Sequence, residues 1–148
     1  MRIHLITHLT ITELRPLLDA SLAEGYTFIQ KLWDEYDMGA MTFCENGAGL
    51  LGITDETQLI GIGGVHTDPY LQIPTIGRIR HVYVLAAHRR KGIGKQLIEG
   101  LIAHAAPQFM ILTLRTQTEE GRNFYTALGF SEEPRFENAT HWLELKIR

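Results

Sequence analysis

Residues 82–95 combine an apolar run, a basic turn and two glycines, a combination that suits the binding of a phosphate group. The stretch reads VYVLAAHRRKGIGK, which predicts a strand, a turn and then the start of a helix. The first amides of a helix lack internal acceptors and lie at the positive end of its dipole, so they attract anions. Gly92 and Gly94 leave room for a phosphate to approach the backbone. Countercharge is available from Arg89, Arg90, Lys91 and Lys95.

Two common phosphate-binding motifs do not fit this turn. A P-loop needs a glycine five positions before its Gly-Lys pair and Ser or Thr after it, but those positions hold Arg89 and Gln96. A dinucleotide fingerprint that begins at Gly92 needs a third glycine where this chain has Leu97. The glycine-rich run at 61–64 also lacks the full pattern. From the residues alone, a phosphate cradle and a basic turn that binds nothing specific both stay open.

Residues 89–94 resemble the acetyl-CoA motif of the GNAT superfamily of N-acetyltransferases, which is Arg/Gln-x-x-Gly-x-Gly/Ala at a strand–helix junction. Val84 stands five residues before Arg89, as the valine of the family's central strand usually does. Downstream, residues 123–130 read NFYTALGF and look like the family's FYxxLGF element. The resemblance covers residues 58–131 well and the N-terminal third only in outline.

The resemblance implies that acetyl passes directly from acetyl-CoA to an amine in a ternary complex, without a covalent enzyme intermediate. It also implies that the backbone of residues 82–84 binds the pantetheine arm, in a cleft where the central strand splays from its neighbour. The amides of residues 89–94 would hold the pyrophosphate. The expected cofactor-binding residues are therefore Val82, Tyr83, Val84, Arg89, Arg90, Lys91, Gly92, Ile93, Gly94 and Lys95.

Tyr125 matches the tyrosine with which the family protonates the departing CoA thiolate. A phenol near pKa 10 is a weaker acid than a thiol near 8.5, so the transfer is uphill by about 2 kcal/mol in water. A modest positive potential closes that gap. The alternative is that Tyr125 only packs beside Phe124, because an aromatic pair before Leu-Gly-Phe also builds a core.

His81 is the first candidate for the general base, because it lies on the central strand and an imidazole titrates in a useful range. Strand alternation predicts that it shares a face with Ile79, Tyr83 and Leu85. That face could be core, which leaves a structural histidine as the alternative. His66 is a further candidate.

Further site residues cannot be assigned from the family, because this chain differs from its pattern at particular positions. Asp68 is a third candidate base, but Asp-Pro is first of all a turn pattern. Where some family members carry a glutamate in the later strand, this chain has Thr113, which cannot serve as a base. The family's common asparagine before the tyrosine helix is Thr118 here.

Length and composition limit the remaining classes of protein and of site. The 148 residues, 45% of them hydrophobic, predict one globular domain over 1–148. Cys44 is the single cysteine; we expect it to be a buried apolar residue, and no disulfide is possible within one chain. The histidines show no paired ligand spacing, so we predict no metal site. No apolar run is long enough for a membrane helix and no secretion leader is evident, so we predict a cytoplasmic protein.

The net charge of −3 divides unevenly along the chain. Residues 78–95 hold six cations and no carboxylate, whereas residues 12–45 hold seven acidic residues against Arg15 and Lys31. Such a division would attract a polyanionic cofactor and a cationic amine. An ordinary solvated acidic helix face is the alternative interpretation.

The periodicity of apolar residues predicts the elements that position these residues. Helices come first, followed by strand–helix–strand–helix–strand, which indicates an α/β (α+β) domain. With the resemblance, the expected fold is a mixed, mostly antiparallel sheet with helices on both faces and a splayed central strand pair. The main predicted elements are a helix from Glu13 capped by Thr12, a helix that ends at Gly39, strands at 49–53, 58–65, 78–85 and 109–114, a helix that Pro107 closes, a capping box at Thr116–Glu119, and closing strands at Phe130 and 141–147.

The leading hypothesis is an acetyl-CoA-dependent N-acetyltransferase that acts on a primary amine of a small molecule or peptide, with no nucleic-acid or membrane partner. A non-catalytic acyl-CoA sensor and a phosphate- or nucleic-acid-binding module stay as alternatives. The acceptor and the oligomeric state, a homodimer included, are open at this point.

Overall fold

The computed structural model describes residues 1–145, which form six strands and four α-helices. In chain order they are β1 (Arg2–Leu5), α1 (Ile11–Ala23), α2 (Phe28–Asp37), β2 (Gly49–Thr54), β3 (Leu59–Thr67), β4 (Ile76–Val84), α3 (Ile93–Ala105), β5 (Ile111–Leu114), α4 (Glu119–Ala127) and β6 (His141–Glu144). A 3₁₀ turn at Ala86–His88 joins β4 to α3.

The strands form one sheet in the order β1-β2-β3-β4-β5-β6. Every neighbouring pair is antiparallel except β4 and β5, which are parallel. That parallel pairing is short, because it joins only Ile76–Arg78 to Ile111–Thr113, while β4 continues to Val84. The two strands therefore separate in the middle of the sheet. The predicted mixed sheet with a splayed central pair is confirmed.

Each face of the sheet has its own apolar core. On one face α3 buries a stripe at helical spacing, Ile93, Leu97, Ile98, Leu101 and Ala105, and α4 adds Tyr125 to the same cluster. On the other face α1 contributes Leu14, Leu17 and Leu18 and α2 contributes Ile29 and Leu32. The amphipathic patterns of these helices account for both faces, as expected for a sheet covered on two sides.

Glycines in β3 let helices and loops pack closely on both faces. A Cβ on Gly63 would stand 3.0 Å from Leu101 of α3, and one on Gly64 would stand 2.8 Å from Phe43. The run at 61–64 therefore has a packing role in a strand that is buried throughout.

Two predicted helix caps are displaced by two residues. Helix α1 is capped by Thr10, whose Oγ1 accepts a hydrogen bond from the Glu13 amide at 3.2 Å, and not by Thr12. Helix α4 is capped by Thr118, whose Oγ1 accepts from the Gly121 amide at 3.0 Å, and not by Thr116. Thr118 thus satisfies an orphan amide of the helix, a role that Ser, Thr, Asp and Asn share.

The predicted C-terminal strand is only partly described. Strand β6 spans His141–Glu144, and residues 146–148, which the sequence prediction included up to Ile147, lie outside the described residues. Phe130 is buried but precedes the isolated bridge between Ser131 and Trp142, and is not itself in a strand.

Candidate active site

A β-bulge in β4 lies where β4 and β5 have separated. Ile62 pairs with Tyr83 and Gly64 pairs with Arg80, so His81 and Val82 together stand opposite the single residue Gly63. His81 adopts a left-handed backbone conformation with φ of 63°. A bulge turns the following side chains to the other face of the sheet.

The bulge overturns the prediction that His81 shares a face with Ile79. Ile79 packs in the cluster on the α3 face, whereas Tyr83 packs in the cluster on the α1 and α2 face. Regular alternation would place the two residues on one face, but the extra residue reverses the order after Arg80.

Beyond Arg78, the backbone of β4 has no strand partner on its β5 side in the described part of the chain. The backbone of Val82 and Tyr83 lies along this opening. The Val84 carbonyl is already engaged, because it accepts a hydrogen bond from Arg89 Nε at 2.9 Å. An extended polar ligand could therefore add to β4 as a further strand would.

Residues 89–94 form the turn that we call the phosphate loop. Arg90 and Gly92 have φ values of 62° and 80°, both left-handed, and α3 begins directly after Gly92. Successive amides in such turns form concave anion sites, and the free amides of the helix start add to them. Arg90, Lys91 and Lys95 are exposed and take part in no ion pair within residues 1–145.

The guanidinium of Arg89, the first residue of the phosphate loop, is held by contacts within the protein. Its Nη2 and Nη1 donate to the two carboxylate oxygens of Glu24 at 2.6 and 2.9 Å. The Tyr83 hydroxyl also hydrogen-bonds Glu24 Oε1. Arg89 and Tyr83 lower the pKa of the Glu24 carboxyl, while burial and the Glu24 charge raise the pKa of Tyr83 to about 12.

Tyr125 lies on α4, against the start of α3. Its neighbour Phe124 contacts Gly94, where an added Cβ would stand 3.2 Å from the ring. The Tyr125 side chain is buried among Phe124, Phe130 and His141, with ring centroids 4.9, 5.7 and 6.2 Å away. Burial raises the pKa of its hydroxyl well above the ordinary value, and no hydrogen bond from this hydroxyl to residues 1–145 is formed.

His81 is buried beside the bulge, with 7% of its surface exposed. Neither ring nitrogen forms a hydrogen bond of ordinary geometry within residues 1–145, although the Phe28 backbone lies beside the ring. Burial, with the nearby Arg80 charge, lowers the pKa of His81 to about 3. The ring is therefore neutral at pH 7, with one nitrogen lone pair free.

Five buried polar side chains gather around β3, β4 and β5, and we call them the buried polar cluster: His66, Asp68, Arg78, His81 and Thr113. Asp68 Oδ2 accepts a hydrogen bond from Thr113 at 2.6 Å and lies 3.6 Å from Arg78 Nη1. The other oxygen of Asp68 accepts from the amides of Tyr70 and Leu71. These contacts occupy Asp68 fully, so the arrangement favours a structural role over that of a base.

Sequence reasoning missed most of this arrangement. It named His66 and Asp68 as candidate bases, but burial lowers the pKa of His66 to about 4. It did not find Arg78 or Glu24 as members of side-chain networks. Arg89 lies 65 residues from Glu24 and Asn138 lies 60 residues from Arg78, and no short motif marks such pairs.

The acidic N-terminal segment is partly neutralised by the basic one. Glu24 pairs with Arg89, and Glu35 lies 3.7 Å from Arg80. Some of the charges that divide so unevenly along the sequence therefore meet in space. This contact weakens the argument that the acidic helices attract a cationic acceptor.

Three further expectations concern cysteine, metals and membranes. Cys44 is exposed, contrary to the prediction that it is buried. Within residues 1–145, no three His, Cys, Asp or Glu side chains are grouped as ligands of a metal ion would be. None of the described helices has the length and apolar character needed to cross a membrane.

Comparison with known proteins connects this geometry to a family. The model of the GNAT acetyltransferase domain matches residues 46–132, more than half of the chain. No curated protein sequence matches. A solved structure from Exiguobacterium sp. 255-15, assigned to the acetyltransferases, has a TM-score of 0.81 and 28% identity, over 97% of this chain and 94% of that one.

More distant structures share the fold. A GNAT-family acetyltransferase from Staphylococcus aureus Mu50 has a TM-score of 0.67 and 16% identity, with 98% of this chain and 100% of that chain covered. A ribosomal-protein-alanine N-acetyltransferase from Brucella melitensis has a TM-score of 0.64 and 23% identity, with 92% and 96% covered. Together with the match over residues 46–132, the splayed sheet and the phosphate loop, these findings show that the chain belongs to the GNAT acetyltransferase family, whose enzymes use acetyl-CoA or another acyl-CoA.

Proposed function

We propose that this protein transfers an acetyl group from acetyl-CoA directly to a primary amine of a small molecule or peptide. The observation that carries the proposal is the continuity of three features. The phosphate loop opens at the start of α3, the unpaired backbone of β4 runs beside it, and the free hydroxyl of Tyr125 lies on the helix packed against Gly94. Transfer from acetyl-CoA needs a pyrophosphate site, a pantetheine groove and a proton donor for the departing thiolate.

The residues present fit the cofactor. The amides of residues 90–94 would bind the pyrophosphate, because Gly92 turns the chain so that they face one side. Lys91 and Lys95 would add countercharge, since both are exposed near the loop. The backbone of Val82 and Tyr83 would hold the pantetheine arm. When bound, acetyl-CoA supplies an activated thioester.

In this proposal, Tyr125 is the acid that protonates the departing thiolate. Its raised pKa keeps the hydroxyl protonated at every physiological pH. Burial disfavours anions in general, so a thiolate bound beside Tyr125 in the same low-dielectric surroundings would also gain proton affinity. Because this hydroxyl has no partner among residues 1–145, it is available to donate to the sulfur.

His81 is the proposed contact for the amine. Because its ring is neutral, one nitrogen carries a lone pair that can accept a hydrogen bond, but both nitrogens are buried, so the amine N–H would reach this lone pair only through a water or after a side-chain movement. A base is most effective when its pKa lies near the working pH, and the pKa of His81 is far lower. We therefore expect its contribution to be smaller than that of Tyr125.

The acceptor class is proposed from the family's amine chemistry and from one neighbour. A peptide N-terminus is included because the Brucella melitensis neighbour is named for a ribosomal protein alanine. We propose one domain over 1–148 that works in the cytoplasm with no nucleic-acid, membrane or metal partner. A homodimer is the oligomeric state to test.

A screen of acceptors tests the proposal. Purified protein is mixed with acetyl-CoA and a panel of polyamines, aminoglycosides, amino acids and peptides, and the release of free thiol is measured. We expect thiol release that depends on one acceptor class and is lost in Tyr125→Phe. Binding of CoA with no thiol release over the whole panel would favour the non-catalytic sensor instead.

A further inference from the structure

We infer that Glu24 is a positioning residue for the cofactor site: through Arg89 it holds the phosphate loop in the conformation that binds CoA. This inference rests on the proposed function, because it takes CoA as the ligand of the loop. It assigns to α1 a part in cofactor binding that lies outside the acetyl-CoA motif. In this inference the Arg89 side chain binds Glu24 and does not contact the phosphates of CoA.

The contacts of Arg89 use all three of its nitrogen atoms. Two donate to Glu24 at 2.6 and 2.9 Å, and Nε donates to the Val84 carbonyl at 2.9 Å. The guanidinium also lies over the Tyr83 ring, 5.3 Å from its centroid. Glu24 therefore joins the end of α1 to the last residues of β4 and to the first residue of the loop.

The phosphate loop needs such an anchor because its backbone is strained. Arg90 has a left-handed φ of 62°, which is unfavourable for a residue with a side chain. It immediately follows Arg89, so a fixed Arg89 holds the chain at the point where the unfavourable residue begins. Without the anchor, we expect the loop to relax and its amides to lose their common direction.

Glu24 also connects the loop to the proposed acceptor side. It caps the C-terminal end of α1, and the turn that follows it leads to Phe28. The Phe28 ring lies 6.0 Å from that of Tyr83, and its backbone lies beside the His81 ring. Cofactor binding and the position of this turn are therefore linked through Glu24.

Two other interpretations make different predictions. If Arg89 contacts the pyrophosphate directly, Glu24 competes for it, and removing Glu24 would strengthen CoA binding. If the pair is an ordinary surface ion pair, with about a third of each side chain exposed, removing it would change little. Affinity for CoA, measured directly, separates both from the positioning role.

The experiment measures the Kd of CoA by calorimetry for the wild type, Glu24→Gln, Arg89→Gln and the double variant. We expect each single substitution to weaken binding about fivefold, since a bidentate, partly exposed pair is involved. The double variant should bind no more weakly than either single one, because both remove the same anchor. Arg89→Lys should not restore affinity, since lysine cannot donate to Glu24 and the Val84 carbonyl at once.

Salt dependence provides a readout that a general loss of stability would not change. Because Arg89 does not touch the phosphates in this proposal, Arg89→Gln should keep the wild-type slope of CoA affinity against salt concentration, whereas Lys91→Gln should reduce it. Glu144→Gln is the matched control, because Glu144 pairs with Arg135 at 2.9 Å on β6, away from the loop. It should leave the Kd unchanged.

Each result decides a specific question. Tighter binding by Glu24→Gln, an unchanged Kd, or a reduced salt slope in Arg89→Gln overturns the positioning role. A wild-type protein that binds no CoA overturns the proposed function instead, and the two failures are therefore distinguishable.

Discussion

The phosphate loop and the buried polar cluster are both polar sites in the same sheet, but they are built in different ways. The loop is continuous in sequence, and its binding groups are backbone amides whose direction depends on the left-handed φ of Gly92. The cluster is assembled from residues of β3, β4 and β5 and from Asp68, which directly follows β3, and its central contact joins Asp68 to Thr113, 45 residues apart. One site depends on local conformation and the other on side chains that the fold brings together.

This difference predicts how each region fails. A change in the loop should alter ligand binding with a modest loss of stability, because the loop is exposed. A change in the cluster should destabilise the fold, because a buried charge that loses its partner has no water to replace it. Substitutions in the two regions should therefore separate stability from cofactor affinity.

The largest effect is expected for Asp68→Ala, which should lower the free energy of unfolding by about 3 kcal/mol. It leaves Arg78 buried without its carboxylate and removes the acceptor of Thr113. Urea unfolding measures the loss. CoA affinity of the protein that remains folded should be unchanged, and a loss of affinity equal to that of a loop variant would contradict the separation of the two regions.

Asp55→Ala is the matched control for that substitution. Asp55 Oδ1 accepts from the amides of Thr57 and Gln58, just as Asp68 Oδ1 accepts from those of Tyr70 and Leu71. Asp55 lacks the buried arginine, so its removal should cost much less. Equal losses would mean that the turn, and not the buried ion pair, stabilises the structure.

Tyr125→Phe comes next and should lower kcat about a hundredfold, the usual range for loss of an acid catalyst. Stability should hardly change, because the hydroxyl forms no hydrogen bond within the described part of the chain. Steady-state kinetics with a good acceptor and thermal unfolding give the two quantities. Tyr36→Phe is the contrasting variant, because the Tyr36 hydroxyl accepts a hydrogen bond from the Leu9 amide, so this substitution should lower stability and not kcat. An unchanged kcat in Tyr125→Phe would show that the residue only packs.

The same contrast explains how much could be predicted from the sequence. The elements followed from apolar periodicity, and the phosphate loop followed from a contiguous motif. The two helix caps were misplaced by two residues because Thr10 and Thr12, and Thr116 and Thr118, are chemically equal candidates. Only the backbone geometry selects between them.

Contacts across the fold were beyond sequence reasoning. The bulge at His81 inserts one residue into a ladder that the alternation rule treats as regular. The sequence gives no sign of it, because histidine is not a residue that requires a positive φ. The pairing of Glu24 with Arg89 depends on where α1 ends relative to β4, and no local pattern encodes that distance.

Gly92→Ala should weaken CoA binding about tenfold and lower the free energy of unfolding by about 1 kcal/mol, because alanine is strained at a φ of 80°. Gly39→Ala is a close control, since Gly39 has a φ of 79° and also has no atom within 4 Å of an added Cβ. It should lose the same stability and keep its CoA affinity. Calorimetry measures the CoA affinity of the two variants and urea unfolding measures their stability. Equal CoA affinities in the two variants would contradict the proposed role of the loop in binding phosphate.

The last prediction concerns the pH dependence of stability. The pKa of His81 is about 3 in the folded protein, against about 6.5 for an unperturbed histidine. The unfolded chain therefore takes up a proton that the folded protein does not, so stability is fully present above pH 6.5 and falls as the pH decreases toward 3.

His81→Gln should make the loss of stability between pH 7 and pH 5 smaller. Acidic groups with lowered pKa values, such as Glu24, reduce the stability of the protein only at lower pH. The loss of stability between pH 7 and pH 5 is therefore due to the histidines. If His81→Gln retains the full wild-type slope, the buried ring does not remain neutral in the folded protein, and the proposal that it accepts a hydrogen bond from the amine loses its basis.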